Sequence, residues 1–365
     1  MLLEFRVERF KNFQKELIFK LDEIKNYEFS VDAVKDDVVK TALVYGMNGS
    51  GKTNLALAIF DICLNLTDNE KNYDHYNQYI NLNVDSNAIF YYKFKLGSST
   101  LEYKYEKDTP QHIVREELWI DDTKIIYYDH ISHEGSVTLE GTETLNTDLN
   151  EKNISFVKYI SSNSVLPSNT ANNTFTKFID FVNRMLLFSS LEKNFYQGFM
   201  LGNEKLSSAI IESGRLKDFE IFLKNAGIEY NLVAKTVGEK KLIFCKFDKK
   251  QANFFNVASR GTCSLTLFYY WLAKLDDVSL VFIDEFDAFY HNNLAREVVQ
   301  KVLKSKAQAI ITTHNTSIMD NDLLRPDCYF NLFDGNIKSF ANLTKKELRK
   351  AHNVEKMYRA GSFDE

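Results

Sequence analysis

The residues of this chain best suited to chemistry begin at Gly46. The run Gly46-Met-Asn-Gly-Ser-Gly51-Lys52-Thr53 matches the spacing GxxxxGK[ST] in full. Glycines at these positions let successive backbone N–H groups curl around phosphate oxygens, and a helix starting just after them adds the positive end of its dipole. In a loop of this kind Lys52 contacts the β- and γ-phosphates and the Thr53 hydroxyl ligates Mg²⁺. Asn48, Gly49, Ser50, Gly51 and Asn54 complete the nucleotide-binding stretch.

Three further groups lie far downstream. Ser279–Phe286, SLVFIDEF, is an apolar run ending in Asp284 and Glu285. As a strand beside the phosphate-loop strand, it would deliver Asp284 to the metal and place Glu285 where a general base polarises an attacking water. Ala307–Asn315, AQAIITTHN, is another strand, with His314 at its C-terminal end, where ligands gather in open α/β sheets. His314 follows Glu285 by one helix and one strand, a placement that suits sensing of a γ-phosphate. Finally, ASRGTCSL precedes the helical run LTLFYYWLAKL. Taken alone this is a helix cap at Ser259 or Thr262; it is also an anion site in its own right. Each group has a bland reading (a buried strand with exposed acids, a structural histidine, a plain cap), and their order in one chain is what favours chemistry.

The elements that must position these groups follow from periodicity. Leu2–Arg9 and Glu16–Leu21 alternate and predict a hairpin at a sheet margin. Thr41–Tyr45 predicts a short buried strand into the loop, and Thr53–Leu64 a helix. From Ala88 to about Tyr159 the period is two, which predicts an antiparallel lobe. Helical spacing runs from about Asn172 to Leu223, including FTKFIDFVNRMLLF; strands return at Ile228–Val237 and Lys241–Phe247, and Leu343–Ala360 reads as a polar helix.

In this order the motifs resemble an ABC-type ATPase of the SMC/RecF/OLD branch, and more narrowly the stand-alone prokaryotic AAA family ATPases of RloA and AbiLi type linked to phage-defence loci. The resemblance is carried by RFKNF at 9–13, GMNGSGKT at 46–53, SRGT at 259–262, FIDEFDAFYH at 282–291, TTHNT at 312–316 and the closing NVEKMYRAGSF. It implies an α/β P-loop fold with an antiparallel β lobe and a helical insertion. The expected division is 1–171 and 228–365 for the two parts of the ATPase head, with 172–227 inserted. It also implies that Glu285 is the catalytic carboxylate and His314 the switch histidine, and that Thr53 and Asp284 hold Mg²⁺ beside ATP. Ser259, Arg260, Gly261 and Thr262 would then reach the partner's nucleotide across a dimer, with Asp287 and His291 at the subunit interface. The chain departs from the family pattern in reading Ala258-Ser259-Arg260-Gly261 where LSGG is usual. Arg260 would either touch the γ-phosphate or weaken the contact by bulk. Gln78 and Gln111 are both candidates, by position only, for the glutamine of such sites.

Composition sets the outer bounds. At 365 residues, 44% hydrophobic and 26% charged, the chain has the make-up of a globular protein. A formal charge of −5 argues against a general nucleic-acid coat, though short basic clusters at Lys235–Lys250 and Lys345–Arg359 leave room for a local one. Cys63, Cys245, Cys263 and Cys328 show no metal spacing and suit reduced thiols in a cytoplasm. No stretch approaches the roughly 18 apolar residues that span a bilayer. No nuclease pattern was found, so the expectation is a dimerising or oligomerising ATPase that regulates a separately encoded effector in antiphage defence. A DNA-clamping repair ATPase is the alternative, with nucleic acid as a further candidate partner and no membrane.

Overall fold

The alternating and the continuously apolar strands sort into two separate sheets. The structure, a computed structural model, describes residues 1–68, 73–149, 154–189, 195–198, 206–286 and 292–363. The antiparallel sheet runs, strand by strand, Glu134–Val137, Thr123–Asp129, His112–Ile120, Ser99–Thr109, Ala88–Leu96, Leu2–Glu8 and Leu17–Lys20. Its inward face carries Phe90, Tyr92, Phe94, Tyr103 and Tyr105, with intervening positions only half-buried. The predicted hairpin is present, with Arg6 opposite Ile18 at the sheet's edge.

The second sheet runs Phe195–Gly198, Met185–Ser189, Leu280–Asp284, Gln308–Thr312, Thr41–Tyr45, Tyr329–Phe333 and Asn336–Ser339. Its five inner strands are parallel and its two margins antiparallel. Every residue of Thr41–Tyr45, Met185–Ser189, Leu280–Asp284 and Gln308–Thr312 is buried, as befits strands covered on both faces.

Three expectations are corrected here. Met185–Ser189, read as the end of a helix, is an inner strand, because a run buried on both sides has no period to betray it. The helix itself stops at Asn183. The segment 172–227 therefore contributes strands to the parallel sheet as well as helices. Period-two structure ends at Val137, and Phe156–Asn163 is a helix capped by Ser155. In Leu343–Ala360, Leu343 closes the short helix Phe340–Leu343, and beyond it only Val354–Arg359, where Asn353 caps the turn, is helical.

The helix Lys52–Leu66 lies between the two sheets. It is buried nearly all round, including Leu55 through Leu66. The Tyr92 hydroxyl donates to the Ala58 carbonyl at 2.9 Å and that of Tyr76 to the Leu57 carbonyl at 3.1 Å. Asp61 on this helix and Lys107 on the antiparallel sheet are both 0% exposed and pair at 3.0 Å. Asp61 also accepts from the hydroxyls of Tyr79 at 2.8 Å and Tyr105 at 2.9 Å, and Lys107 donates to Asn65 at 3.0 Å. Saturating both charges offsets their desolvation, while deleting one partner of such a pair costs about 3–5 kcal/mol.

A second buried carboxylate ties the antiparallel sheet to the helix after it. Glu116 accepts from Tyr103 at 2.9 Å, Ser155 at 2.8 Å, His130 at 2.9 Å and the backbone N–H of Phe156. Burial alone would raise its pKa, but His130, Phe156 and Ser155 hold it below the usual carboxylate value.

A three-stranded sheet, Leu232–Val237, Lys240–Lys246 and Gln251–Asn253, precedes the helix Arg260–Leu272. Among the described residues no helix is long and apolar enough to cross a membrane, and the four cysteines are free.

Candidate nucleotide site

The buried strand Thr41–Tyr45 ends at Gly46, and the helix begins at Lys52. Between them Gly49 and Gly51 adopt left-handed φ values of 79° and 103°. A Cβ on Gly51 would lie 2.5 Å from the Asn12 side chain, so conformation and space both demand glycine there. The Lys52 ammonium donates to the carbonyls of Gly46 at 3.1 Å and Met47 at 3.2 Å, which folds it over the loop. Burial lowers its pKa, opposed by the nearby Glu285 and Asp284.

Thr53, Asp284 and Thr312 form one hydrogen-bonded row. The Thr53 hydroxyl donates to Asp284 Oδ2 at 2.8 Å, and the Thr312 hydroxyl donates to Oδ1 at 2.7 Å. The expected adjacency of the acidic strand and the phosphate-loop strand is corrected: Gln308–Thr312 lies between them, and Asp284 reaches Thr53 across it. This explains Thr312, whose hydroxyl fills the gap. Burial raises the Asp284 pKa, while the bonds from Thr312 and Thr53 lower it in part. A hydroxyl and a carboxylate at this spacing, beside a phosphate loop, are hard oxygen donors that fit Mg²⁺, a metal that keeps waters and phosphate oxygens as its other ligands. Among the described residues no group of three or more His, Cys, Asp or Glu side chains could hold a metal by itself.

Glu285 follows in a left-handed conformation, φ 47°, with its N–H donating to the Thr312 hydroxyl at 2.8 Å. A non-glycine residue in that region is strained, and such strain concentrates at functional sites. The turn brings the Glu285 carboxylate 3.7 Å from His314 Nε2. Carboxylate, imidazole and metal-type ligands thus meet at the ends of adjacent strands.

Asn12 is a site residue that its local sequence does not mark. The turn Arg9–Phe13 has two more left-handed residues, Arg9 and Lys11, and is pinned where Lys11 N–H donates to the Tyr79 carbonyl and Asn81 donates to that of Lys11. It presents Asn12 to the loop: its amide donates to the Ser50 carbonyl at 3.3 Å, and its Oδ1 accepts from Asn54 at 2.6 Å. Lys11, Thr53, Asn54, His75, Ser189 and Asp284 line a cavity of about 370 Å³ beside the helix start. Gln78, exposed and left-handed, shares a neighbouring groove with Lys11, Asn12 and Asn54, whereas Gln111 sits at the turn joining Ser99–Thr109 to His112–Ile120.

Ser259 caps the helix Arg260–Leu272: its Oγ accepts from the Thr262 N–H at 3.1 Å and meets Thr262 Oγ1 at 2.9 Å. Ser259 and Arg260 are exposed, Gly261 is half-buried and Thr262 is buried. None of the four lines the Thr53–Asp284 cavity. Asp287 and His291 fall outside the described residues.

Residues 42–320 match the family model described as "AAA domain, putative AbiEii toxin, Type IV TA system". Comparison with curated proteins finds no match. Among solved structures the chain is similar to an SMC head bound to the C-winged helix domain of ScpA, at 16% identity and TM-score 0.43, covering 92% of this chain and 96% of that one. It is also similar to the recombination mediator RecF in its RecF-ATPrS structure, at 13% identity and TM-score 0.40, covering 93% of this chain and 98% of that one.

Proposed function

The chain belongs to this AAA-domain family, and from that premise we propose that it binds ATP with Mg²⁺ and hydrolyses it slowly as a dimerising switch. The observation that carries the reading is the row Thr53–Asp284–Thr312 with Glu285 and His314 at its end. Lys52 and the loop N–H groups of residues 48–54 grip the phosphates. Thr53 and Asp284 would hold Mg²⁺, which when bound neutralises phosphate charge. Glu285, as general base, takes a proton from the attacking water, and His314 stands within reach of both that carboxylate and the γ-phosphate position. Ser259 and Arg260, exposed at a helix N-terminus, together with the half-buried Gly261 and the buried Thr262, cap the nucleotide of a second copy.

The output is control of a separately encoded effector, a nuclease or toxin, in cytoplasmic antiphage defence. The family description, which names a toxin of a type IV system, supports the link to defence systems. A second reading, a DNA-clamping ATPase, rests on one feature. Lys235, Lys240 and Lys246 share the outer face of the three-stranded sheet with Val237 and Phe244. Salt-sensitive duplex binding, lost when these lysines are replaced, would favour it.

The deciding experiment is the solution mass of Glu285→Gln with and without ATP and Mg²⁺. Removing the base should slow hydrolysis by about 10²-fold or more while binding survives, so a stable, nucleotide-dependent dimer is expected. An unchanged mass with ATP demonstrably bound would overturn the shared-site switch.

A further inference from the structure

The helix Val354–Arg359 runs past the histidine turn, and the residues after it are anchored beside the strand that enters the phosphate loop. Phe363 is fully buried, with its ring 4.3 Å from that of Phe340 and parallel to it. Tyr358 stacks on Phe340 at 5.5 Å and meets Tyr45, the last residue before the loop, at 5.9 Å. Asn331, on the neighbouring strand, donates to the Phe363 carbonyl at 3.3 Å. These contacts fix the helix Val354–Arg359 against the parallel sheet.

From that helix two charged side chains converge on Thr316, two residues beyond His314. The Thr316 hydroxyl donates to Glu355 Oε1 at 3.0 Å and accepts from Arg359 Nη2 at 2.8 Å, and the two charges pair at 2.8 Å one helical turn apart. Thr316 therefore uses its donor and an acceptor at once, which fixes its rotamer and the turn Thr316–Ile318. Asn315 completes the frame: its amide donates to Asn292 at 3.0 Å, and its Oδ1 accepts from the N–H of Ser317 at 3.0 Å. Among the described residues, the side chain of His314, 41% exposed, has only the 3.7 Å approach to Glu285.

We propose that Glu355 and Arg359 are positioning residues for His314, acting through Thr316 to set the imidazole against Glu285 and the reacting phosphate. This rests on the role given to His314 above. The tail thereby joins the strand entering the phosphate loop, through Tyr45, to the turn that follows the adjacent strand Gln308–Thr312.

The test uses the full chain carrying Arg359→Ala, Arg359→Lys or Glu355→Gln. Arg359 is 66% exposed on its side chain, so none of these changes opens the core. Two readouts are taken. The first is kcat and KM for ATP hydrolysis across pH. The second is the NMR titration of the His314 ring, assigned by its loss in His314→Gln, which needs no turnover. Arg359→Ala is expected to lower kcat about five- to tenfold, the size of losing a charge-assisted hydrogen bond that holds a reacting group. KM should change little, the His314 titration should shift, and Arg359→Lys should restore part of both. An unmoved His314 titration in Arg359→Ala and Glu355→Gln overturns the proposal. A shifted titration with no effect on kcat leaves the clamp standing and removes His314 from the reaction.

Discussion

Thr312 shows how much a single hydroxyl can organise. It donates to Asp284 and accepts from the Glu285 N–H, so it fixes the metal-type carboxylate and the strained turn at Glu285 together. Thr312→Val keeps the shape and deletes both bonds. Hydrogen bonds to charged groups contribute about 1.5–3 kcal/mol, so Mg²⁺-dependent ATP binding should weaken by roughly tenfold or more. Calorimetric Mg²⁺ titration of the ATP-bound protein checks this, and Thr41→Val, whose buried hydroxyl makes no hydrogen bond among the described residues, is the matched control. An affinity equal to that of the control would remove Thr312 from the site. At this scale the sequence was legible where spacing is local: Gly46 to Thr53 declares its own geometry, and Asp284 and Glu285 end an apolar run. Thr312 and Asn12 were not, because a threonine in TTHN and an asparagine in KNF acquire their partners from strands far away in the chain. RFKNF stood out only as a family likeness, and its chemistry appeared once Asn12 was seen against Ser50 and Asn54.

Among the elements, the helix Phe156–Asn163 depends on a buried acid. Glu116 has a folded pKa held below its unfolded value, so its contribution is present above the unfolded pKa and is lost as pH falls through the folded one. Denaturant unfolding of wild type should therefore lose stability on the acid side of the ordinary carboxylate range more steeply than Glu116→Gln, and the variant should be the weaker of the two at neutral pH. Parallel acid limbs in the two proteins would deny Glu116 this part. The antiparallel strands were legible because each has one wet face and alternates. Met185–Ser189 was not, since MLLFS is buried on both sides and reads equally as helix. The tail misled in the opposite way: its polar run 343–360 has helical composition, but packing of Phe340, Tyr358 and Phe363 requires an irregular path with one short helix.

For the whole molecule, the strand order was the feature least available beforehand. Residues near each other in sequence do not reveal that Gln308–Thr312 inserts between the acidic strand and the phosphate-loop strand. Assembly is likewise a property of two copies, and it yields a clear expectation. Ser259→Trp, at an exposed cap that does not line the loop cavity, should leave ATP affinity of the single chain unchanged and abolish the ATP-dependent rise in mass of Glu285→Gln. Light scattering on the double variant reads this, and a normal mass rise would mean that Ser259 caps only its own helix.

The helix that carries Lys52 and Thr53 is buried from Leu55 onward and bolted to the antiparallel sheet by Asp61 and Lys107. It behaves as an anvil. A phosphate struck against its N-terminus cannot push it back without breaking a saturated buried pair. The recoil must then pass into the slender strand-end turns around it, those bearing Asn12, Glu285 and His314. Work extracted from a nucleotide would leave this molecule by its rim, and a partner that reads the nucleotide state would have to listen there.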